Sequence, residues 1–175
     1  MAQEIPDGLV LKRHRDLEGK RHEAWIRRFL LLLVGLVPLL ALLNFFGQRP
    51  HVETARAGAA SLELYTAPHL RGGLLVEARF TVYAHQELKK ATLELDRGWM
   101  EGITINTIEP SPIGEGSHDG RLVLELGHIP AGQKYSLYLQ VQVNPTNVGR
   151  RSQDVRLYDG ETLIATIHRR VTIFP

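Results

Sequence analysis

The sequence predicts an all-β protein, an antiparallel β-sandwich of about seven or eight strands, which follows one N-terminal transmembrane helix. An uncharged apolar stretch occupies residues 29–46. After about residue 60 the apolar side chains recur at every second position, as they do in strands with one buried and one solvated face. Turn sequences separate these runs at the spacing typical of a β-sandwich.

The apolar stretch 29–46 is long enough to cross a membrane as a helix. Its eighteen residues rise about 1.5 Å each and so cover roughly 27 Å of a hydrocarbon core about 30 Å thick. Asn44 is its one strongly polar residue, and Trp25 lies at its flank, as an interfacial aromatic would. Gly35 and Pro38 disfavour a soluble helix, whereas a membrane tolerates them. We therefore expect a transmembrane helix rather than the core helix of a soluble domain.

A cleaved secretory signal peptide is the alternative to a retained anchor. Such a signal has a short basic region, an apolar core of about 7–15 residues and a small-x-small cleavage site soon after it. Here 28 residues precede the apolar stretch, and the first small-x-small candidate is Ala55-Arg56-Ala57, nine residues beyond Phe46. We therefore expect an uncleaved signal anchor, with loss of the first 57 residues as the alternative.

The basic residues around the span predict its orientation. Residues 1–28, which we expect to be partly helical, carry seven of them, whereas only Arg49 and Arg56 lie close behind the span. By the positive-inside rule, residues 1–28 form a cytoplasmic basic segment and the rest of the chain is extracytoplasmic, so we expect a single-pass protein of the cell membrane. The basic segment also favours contact with anionic membrane lipid, although topology alone accounts for it equally well. Its members are Lys12, Arg13, Arg15, Lys20, Arg21, Arg27 and Arg28.

Composition narrows the functions of the extracytoplasmic part. Residues 49–175 contain fourteen Lys/Arg and fourteen Asp/Glu, and this neutral balance gives no support to nucleic-acid binding. The chain has no cysteine, which excludes disulfides, thiolate metal sites and thiol nucleophiles. A domain of roughly 115 residues must then rely on its apolar core, which fits a bacterial surface protein.

A linker is predicted at residues 47–60, and residues 61–175 are predicted to form the sandwich. Its strands are bounded by turn sequences such as Arg97-Gly98, His118-Asp119-Gly120 and Asp159-Gly160, the last of which predicts a hairpin. The predicted strands are, in chain order, 61–65, 74–84, 91–96, 103–108, 121–126, 135–143, 154–159 and 162–174.

The alternation within these strands predicts which side chains are buried. In the run 135–143, for example, Leu139 faces inward and Gln140 faces outward. Trp99 is predicted to fill the core rather than to form a ligand platform. The remaining inward positions are Val76, Ala78, Phe80, Val82, Ala84, Leu122, Leu124, Leu126, Tyr135, Leu137, Val141 and Val143.

The stretch 122–143, LVLELGHIPAGQKYSLYLQVQV, resembles the bacterial Ig-like β-sandwich modules of cell-surface proteins that are known as conserved-repeat domains. In those modules a strand ends in Leu-Gly, a turn with Pro or a small residue and Gly follows, and a long alternating strand returns. Residues 85–91, HQELKKA, replace the Asn-x-Gly turn that is usual in the family. The resemblance covers about residues 62–174 and implies an Ig-like fold but no activity. The matching segments are Leu126-Gly127, Ile129-Pro130-Ala131-Gly132 and Tyr135–Val143.

No catalytic, cofactor-binding or metal-binding residues are predicted. None of the eight histidines belongs to an H-E-x-x-H motif or to a close metal-ligand pair, and the sequence has no nucleophile elbow or phosphate-binding glycine loop. The densest polar cluster is the loop 109–120, which contains Glu109, Glu115, His118 and Asp119. Its carboxylates suit a hard cation, but calcium-loop spacing is absent, so we expect a solvated loop. We therefore expect no enzyme, no cofactor and no small-molecule ligand.

Two functions are consistent with these features. The first is a non-catalytic accessory subunit of a membrane complex, which uses its Ig-like domain to bind another integral membrane protein in cis. The alternative is a surface-anchored module that binds cell wall or carbohydrate. Tyr83 and Tyr138 lie on predicted outward faces, although two scattered tyrosines are ordinary surface. An apolar patch at the membrane-proximal end would favour the first function, and a contiguous aromatic strip on a sheet would favour the second.

Overall fold

The computed structural model describes residues 21–43 and 49–175. The chain divides into an N-terminal unit, which contains one helix, and a larger C-terminal unit, which contains the strands. Most of the predicted cytoplasmic segment 1–28 and the end of the predicted span lie outside the described residues.

Helix α1 spans Arg21–Leu42 and includes the greater part of the predicted span. Its segment Ala24–Leu42 has a mean hydropathy of 2.0, and none of that segment is buried. The helix is therefore long and apolar enough to cross a membrane by length and composition. Because α1 begins at Arg21, residues 21–28 of the predicted cytoplasmic segment are helical and continue into the span. This agrees with the expectation that the segment is partly helical.

The C-terminal unit consists of strands and their connections, together with a short 3₁₀ helix at Arg97–Trp99. Thirteen strands lie in the described residues, more than the seven or eight predicted. They are β1 (His51–Arg56), β2 (Ala60–Thr66), β3 (His69–Arg71), β4 (Leu75–Ala84), β5 (Leu88–Leu95), β6 (Ile103–Glu109), β7 (Gly114–His118), β8 (Arg121–Ile129), β9 (Lys134–Val143), β10 (Gly149–Ser152), β11 (Val155–Asp159), β12 (Thr162–Ile167) and β13 (Arg170–Phe174).

The strands form two large antiparallel sheets and one small mixed sheet. Sheet I has the order β1-β2-β4-β9-β6, sheet II has the order β12-β11-β5-β8-β7, and the small sheet has the order β10-β13-β3, in which β13 and β3 are parallel. The sequence β2-β4-β9-β6 corresponds to strands A, B, E and D of an Ig constant-type domain, and β12-β11-β5 corresponds to strands G, F and C. The predicted all-β, Ig-like antiparallel sandwich is thus confirmed, and the β7–β8 hairpin extends its second sheet beside β5.

The core between the sheets follows the predicted alternation. The inward positions predicted on β4, β8 and β9 are buried, apart from the half-buried Tyr135. Trp99 is 2% exposed and packs on Phe80 with ring centroids 5.3 Å apart. Its Nε1–H donates to the carbonyl oxygen of Gln153 at 3.0 Å, so the prediction that Trp99 is a core residue is confirmed.

The linker predicted at residues 47–60 requires a correction, because this segment contains strand β1. All six β1 residues pair with β2, from His51 opposite Thr66 to Arg56 opposite Ser61. The sequence HVETAR does not show apolar alternation because β1 is the edge strand of sheet I. Its inward side carries Glu53 and Ala55, which are only half-buried.

The additional strands and one buried threonine also differ from the sequence expectation, which places Thr81 on the solvated face because it lies between the inward Phe80 and Val82. The predicted run 162–174 is two strands, because the chain leaves sheet II after β12 and joins the small sheet as β13. The other unpredicted strands, β3, β7 and β10, are short and polar or glycine-rich. Thr81 was expected on the solvated face but is buried, with its Oγ1 3.4 Å from Oγ of Ser136.

Candidate interaction surfaces

The polar segment 109–120, considered above for a cation, is divided between the two sheets. Glu109 ends β6 in sheet I, whereas Glu115 and His118 lie on β7 of sheet II. A tight turn joins β7 to β8, with positive φ at Asp119 (51°) and Gly120 (74°). In the described part of the chain, no group of three or more His, Cys, Asp or Glu side chains is placed to hold a metal ion. The expectation of no metal-binding residues stays a prediction.

A row of side chains crosses the outer face of sheet I, and we call it the tyrosine row. The register of the sheet places Val52, Tyr65, Arg79, Tyr138 and Glu109 opposite one another on five successive strands. The guanidinium carbon of Arg79 lies 4.9 Å from the ring centroid of Tyr65, a cation–π contact. Tyr138 is 39% exposed, so this row presents aromatic surface and charge to solvent.

Tyr83 shares the outer face of sheet I but not the tyrosine row. Its neighbours across the strands are Ser61 and Lys134, and its ring makes an edge contact with His85 at 5.0 Å. Four register positions separate it from the level of Arg79 and Tyr138, which is about 13 Å along a strand. The predicted outward orientation of Tyr83 and Tyr138 is confirmed, but these two tyrosines do not form one contiguous strip.

The outer face of sheet II carries a network of ion pairs. Glu94 Oε1 lies 3.1 Å from Nη1 of Arg156 and 3.2 Å from Nη1 of Arg121, and Nε of Arg121 is 3.5 Å from Oδ1 of Asp96. Burial raises the pKa of Asp96, but a hydrogen bond from Ser152 and the positive charges of Arg156 and Arg121 outweigh it and hold the pKa below its usual value. These charged side chains pair with one another across the strands. The outer face of sheet II is therefore better suited to holding its strands together than to binding a partner.

Arg169 is a buried cation between β12 and β13, and its side chain is 2% exposed. Its Nη2 donates to the carbonyl oxygen of Ala67 at 2.9 Å, its Nε is 3.6 Å from Oε1 of Glu53, and its guanidinium carbon lies 5.5 Å from the Trp99 ring centroid. Burial lowers the pKa of Arg169 below its usual value, and the nearby carboxylate of Glu53 offsets only part of this shift. An arginine nevertheless remains protonated at neutral pH. This cluster therefore ties β1 and the β2–β3 connection to the β12–β13 connection.

A polar groove beside Arg169 is lined by Ser152, Asp154, His168, Arg169 and Arg170. Its carboxylate already has partners, because Oδ2 of Asp154 lies 2.9 Å from Nδ1 of His168 and Oδ1 accepts a hydrogen bond from the backbone N–H of Arg169 at 3.1 Å. The groove therefore offers no unpaired carboxylate to a ligand.

One end of the sandwich exposes a group of apolar side chains, which we call the apolar end. Its members are Leu74, Leu75 and Val148, which are 46%, 60% and 49% exposed. Backbone hydrogen bonds join the two loops that carry them, from Gly73 N–H to the carbonyl of Val143 at 2.8 Å and from Val143 N–H to that of Leu74 at 3.1 Å.

Comparison with known proteins adds little to these observations. No family model and no curated protein matches the sequence. Among solved structures, a non-cellulosomal cohesin from the hyperthermophilic archaeon Archaeoglobus fulgidus has 12% identity and a TM-score of 0.40, over 73% of this chain and 92% of the cohesin. An exo-β-N-acetylglucosaminidase of family GH20 from Vibrio harveyi has 13% identity and a TM-score of 0.36, over 67% of this chain and 18% of the enzyme.

These TM-scores are low, so the assignment of the fold rests on the strand order of this chain. The strand order and the helix define the class of protein, an Ig-like β-sandwich that follows one apolar N-terminal helix. The chain spans less than a fifth of the length of the glycosidase, 18%.

Proposed function

We propose that this chain is a bacterial single-pass membrane protein of the conserved-repeat type and a non-catalytic accessory subunit that binds another integral membrane protein in cis. Residues 1–28 are cytoplasmic, α1 is a retained signal anchor and the Ig-like domain is extracytoplasmic. The unburied apolar surface of Ala24–Leu42 supports the anchor, because such a surface needs lipid or protein around it. The basic residues before the span support the orientation.

The observation that carries the binding role is the tyrosine row. Tyrosine and arginine are enriched at the centres of protein interfaces, where they account for most of the binding energy. The row spans five strands, or roughly 19 Å at about 4.8 Å between neighbouring strands, which suits the central part of an interface. A membrane anchor also raises the effective concentration of the domain near its neighbours, so that modest contacts suffice.

Binding of carbohydrate or cell wall remains the second candidate function. The exposed ring of Tyr138 on a broad sheet face favours it, since an aromatic face and a hydroxyl suit a sugar ring. Against it, Arg79 separates Tyr65 from Tyr138 and stacks on Tyr65. Arginine between tyrosines suits a protein partner with a carboxylate better than a neutral sugar.

The orientation is tested by a reporter enzyme that is active only outside the cytoplasm. Fused after Pro175, it should be active, because residues 49–175 follow the side of the span that is poor in basic residues. The same reporter fused before Met1 should be inactive. A stable, membrane-inserted fusion with the opposite pattern would contradict the proposed topology, and a mature protein that starts after Ala57 would contradict the anchor.

The binding role is tested by the double variant Tyr65→Ala/Tyr138→Ala. The protein is purified in mild detergent after crosslinking, and its partners are identified by mass spectrometry. Loss of two interface tyrosines should weaken binding to a membrane-protein partner by roughly 1,000-fold, because two hot-spot residues that contribute about 2 kcal/mol each lose about 4 kcal/mol together. Tyr158→Ala, on sheet II, is the matched control and should leave the complex intact.

A polysaccharide pull-down with the extracytoplasmic domain separates the two functions. If the protein purifies as a lone monomer and the domain binds wall polysaccharide in a way that the double variant abolishes, the accessory-subunit proposal is wrong and the carbohydrate-binding function replaces it. Replacement of residues 29–46 by an unrelated span should weaken the complex only if the helix also contacts the partner.

A further inference from the structure

We propose that the apolar end of the domain contacts the lipid headgroup layer of the membrane that holds α1. This inference rests on the proposed anchoring and adds a binding surface to it. The occupant is the bilayer itself, with Leu74, Leu75 and Val148 placed among the headgroups and the upper acyl chains.

The segment that follows α1 enters the domain at the apolar end. β1 starts at His51, opposite Thr66 of β2. Thr66 Oγ1 donates to the carbonyl oxygen of Glu77 at 3.3 Å, only two residues from Leu75. Seven residues separate Leu43 from His51, and the eight steps between these two residues reach at most about 29 Å.

The charges beside the apolar end complement an anionic membrane surface. Arg71 ends β3 and Arg150 lies on β10; both are exposed, and neither side chain has an ion-pair partner among the described residues. Two acidic residues also lie nearby: Glu101 pairs with Nε of Arg151 at 3.7 Å, and Glu77 of β4 is exposed. Cations therefore outnumber anions here by three to two. Cations beside exposed apolar side chains are the combination that binds the interface of anionic bilayers.

The absence of cysteine from the chain allows a direct test with single-cysteine variants of the full-length protein. Leu75→Cys and Val148→Cys probe the apolar end. Leu163→Cys is the matched control, because Leu163 is 51% exposed and lies beside the β11–β12 turn, at the opposite end of the sandwich. Leu36→Cys reports on α1. Each variant is labelled with a small fluorophore and reconstituted in phosphatidylcholine–phosphatidylglycerol vesicles whose acyl chains are brominated near the headgroups. The Leu36→Cys variant is placed instead in vesicles brominated near the ends of the acyl chains, because Leu36 lies near the middle of the proposed span.

Bromine quenches a fluorophore only on contact, so we expect the labels at positions 75, 148 and 36 to lose fluorescence and the label at 163 to keep it. If the labels at 75 and 148 keep their fluorescence while the label at 36 is quenched, the headgroup contact is wrong and the anchor stands. An unquenched label at 36 would instead contradict the proposed span, on which this inference rests. Labels at 75 and 148 that escape bromine but become shielded from aqueous iodide as protein density rises would indicate a second copy of the chain and overturn the proposal.

The contribution of charge is tested in the Leu75→Cys background. Arg71→Gln/Arg150→Gln should reduce the quenching, and so should replacement of phosphatidylglycerol by phosphatidylcholine. Lys89→Gln/Lys134→Gln removes two exposed cations elsewhere on the domain and should leave the quenching unchanged. If the arginine and lysine variants are equal, the assignment of Arg71 and Arg150 to headgroup binding is wrong.

Discussion

Leu139→Ala is expected to lower the free energy of unfolding of the Ig-like domain by about 2–5 kcal/mol. Leu139 lies on β9, has no exposed surface, and is flanked by Ala78 of β4 and Ile108 of β6. Truncation removes buried methyl groups and leaves a cavity that the two neighbouring strands prevent from closing. Urea unfolding of residues 49–175 measures the effect as a lower midpoint at an unchanged slope.

Gln140→Ala is the matched control for this prediction. Gln140 is the next residue on β9 and faces solvent, so its replacement should cost less than about 0.5 kcal/mol. Equal effects of the two substitutions would show that the register of β9 is wrong. The unsubstituted domain should unfold cooperatively, and neither chelator nor reductant should shift the transition, since its stability comes from the apolar core and the chain has no cysteine.

Glu53→Leu is expected to destabilise the domain by about 1–3 kcal/mol, less than the roughly 3–5 kcal/mol typical of a fully buried ion pair, because the buried charge of Arg169 loses its carboxylate while Glu53 itself is only half-buried. The remaining charge is that of Arg169, whose side chain is 2% exposed and whose Nη1 has no hydrogen-bond acceptor among the described residues. The carbonyl of Ala67 and the face of Trp99 would be its remaining stabilising contacts. Thermal or urea unfolding of the same domain measures the change.

The double variant Glu53→Leu/Arg169→Leu identifies the cause of this loss. Buried ion pairs replaced by apolar residues are often neutral in stability, so the double variant should be more stable than Glu53→Leu alone. Glu77→Leu, at an exposed glutamate of β4, is the control and should change the stability by less than about 0.5 kcal/mol. A Glu53→Leu variant as stable as this control would show that Arg169 does not depend on Glu53.

Strands with one solvated and one buried face were predictable from the sequence because their burial follows a period of two. β9 and β4 show this directly, since their apolar positions face the core. β1 was missed because an edge strand can be formed by polar residues, so HVETAR resembles a linker. Arg169 was missed for a different reason: it falls inside the predicted strand 162–174, an arginine is seldom buried, and only the fold brings Glu53 and Trp99 to the guanidinium.

The candidate surfaces were harder to predict than the strands. Tyr138 was recognised as an outward residue, but its row with Tyr65 and Arg79 depends on cross-strand register, which no single strand encodes. Leu74 and Leu75 resemble the start of a buried strand, and they are exposed because the start of β4 lies at an end of the sandwich. The absence of a catalytic or metal site remains a prediction.

The parallel pairing of β3 with β13 has a consequence for how the domain folds. Arg169 bonds to Ala67 across 102 positions of the chain, and β3 pairs with the last strand. Contacts of such long sequence separation carry a large loop-closure cost and slow folding towards milliseconds to seconds. Since ribosomes deliver the N-terminal strands first, β2 must wait for β12, which packs against it, and β3 must wait for β13. We expect this interval to be the stage of biogenesis at which the domain is most prone to aggregate.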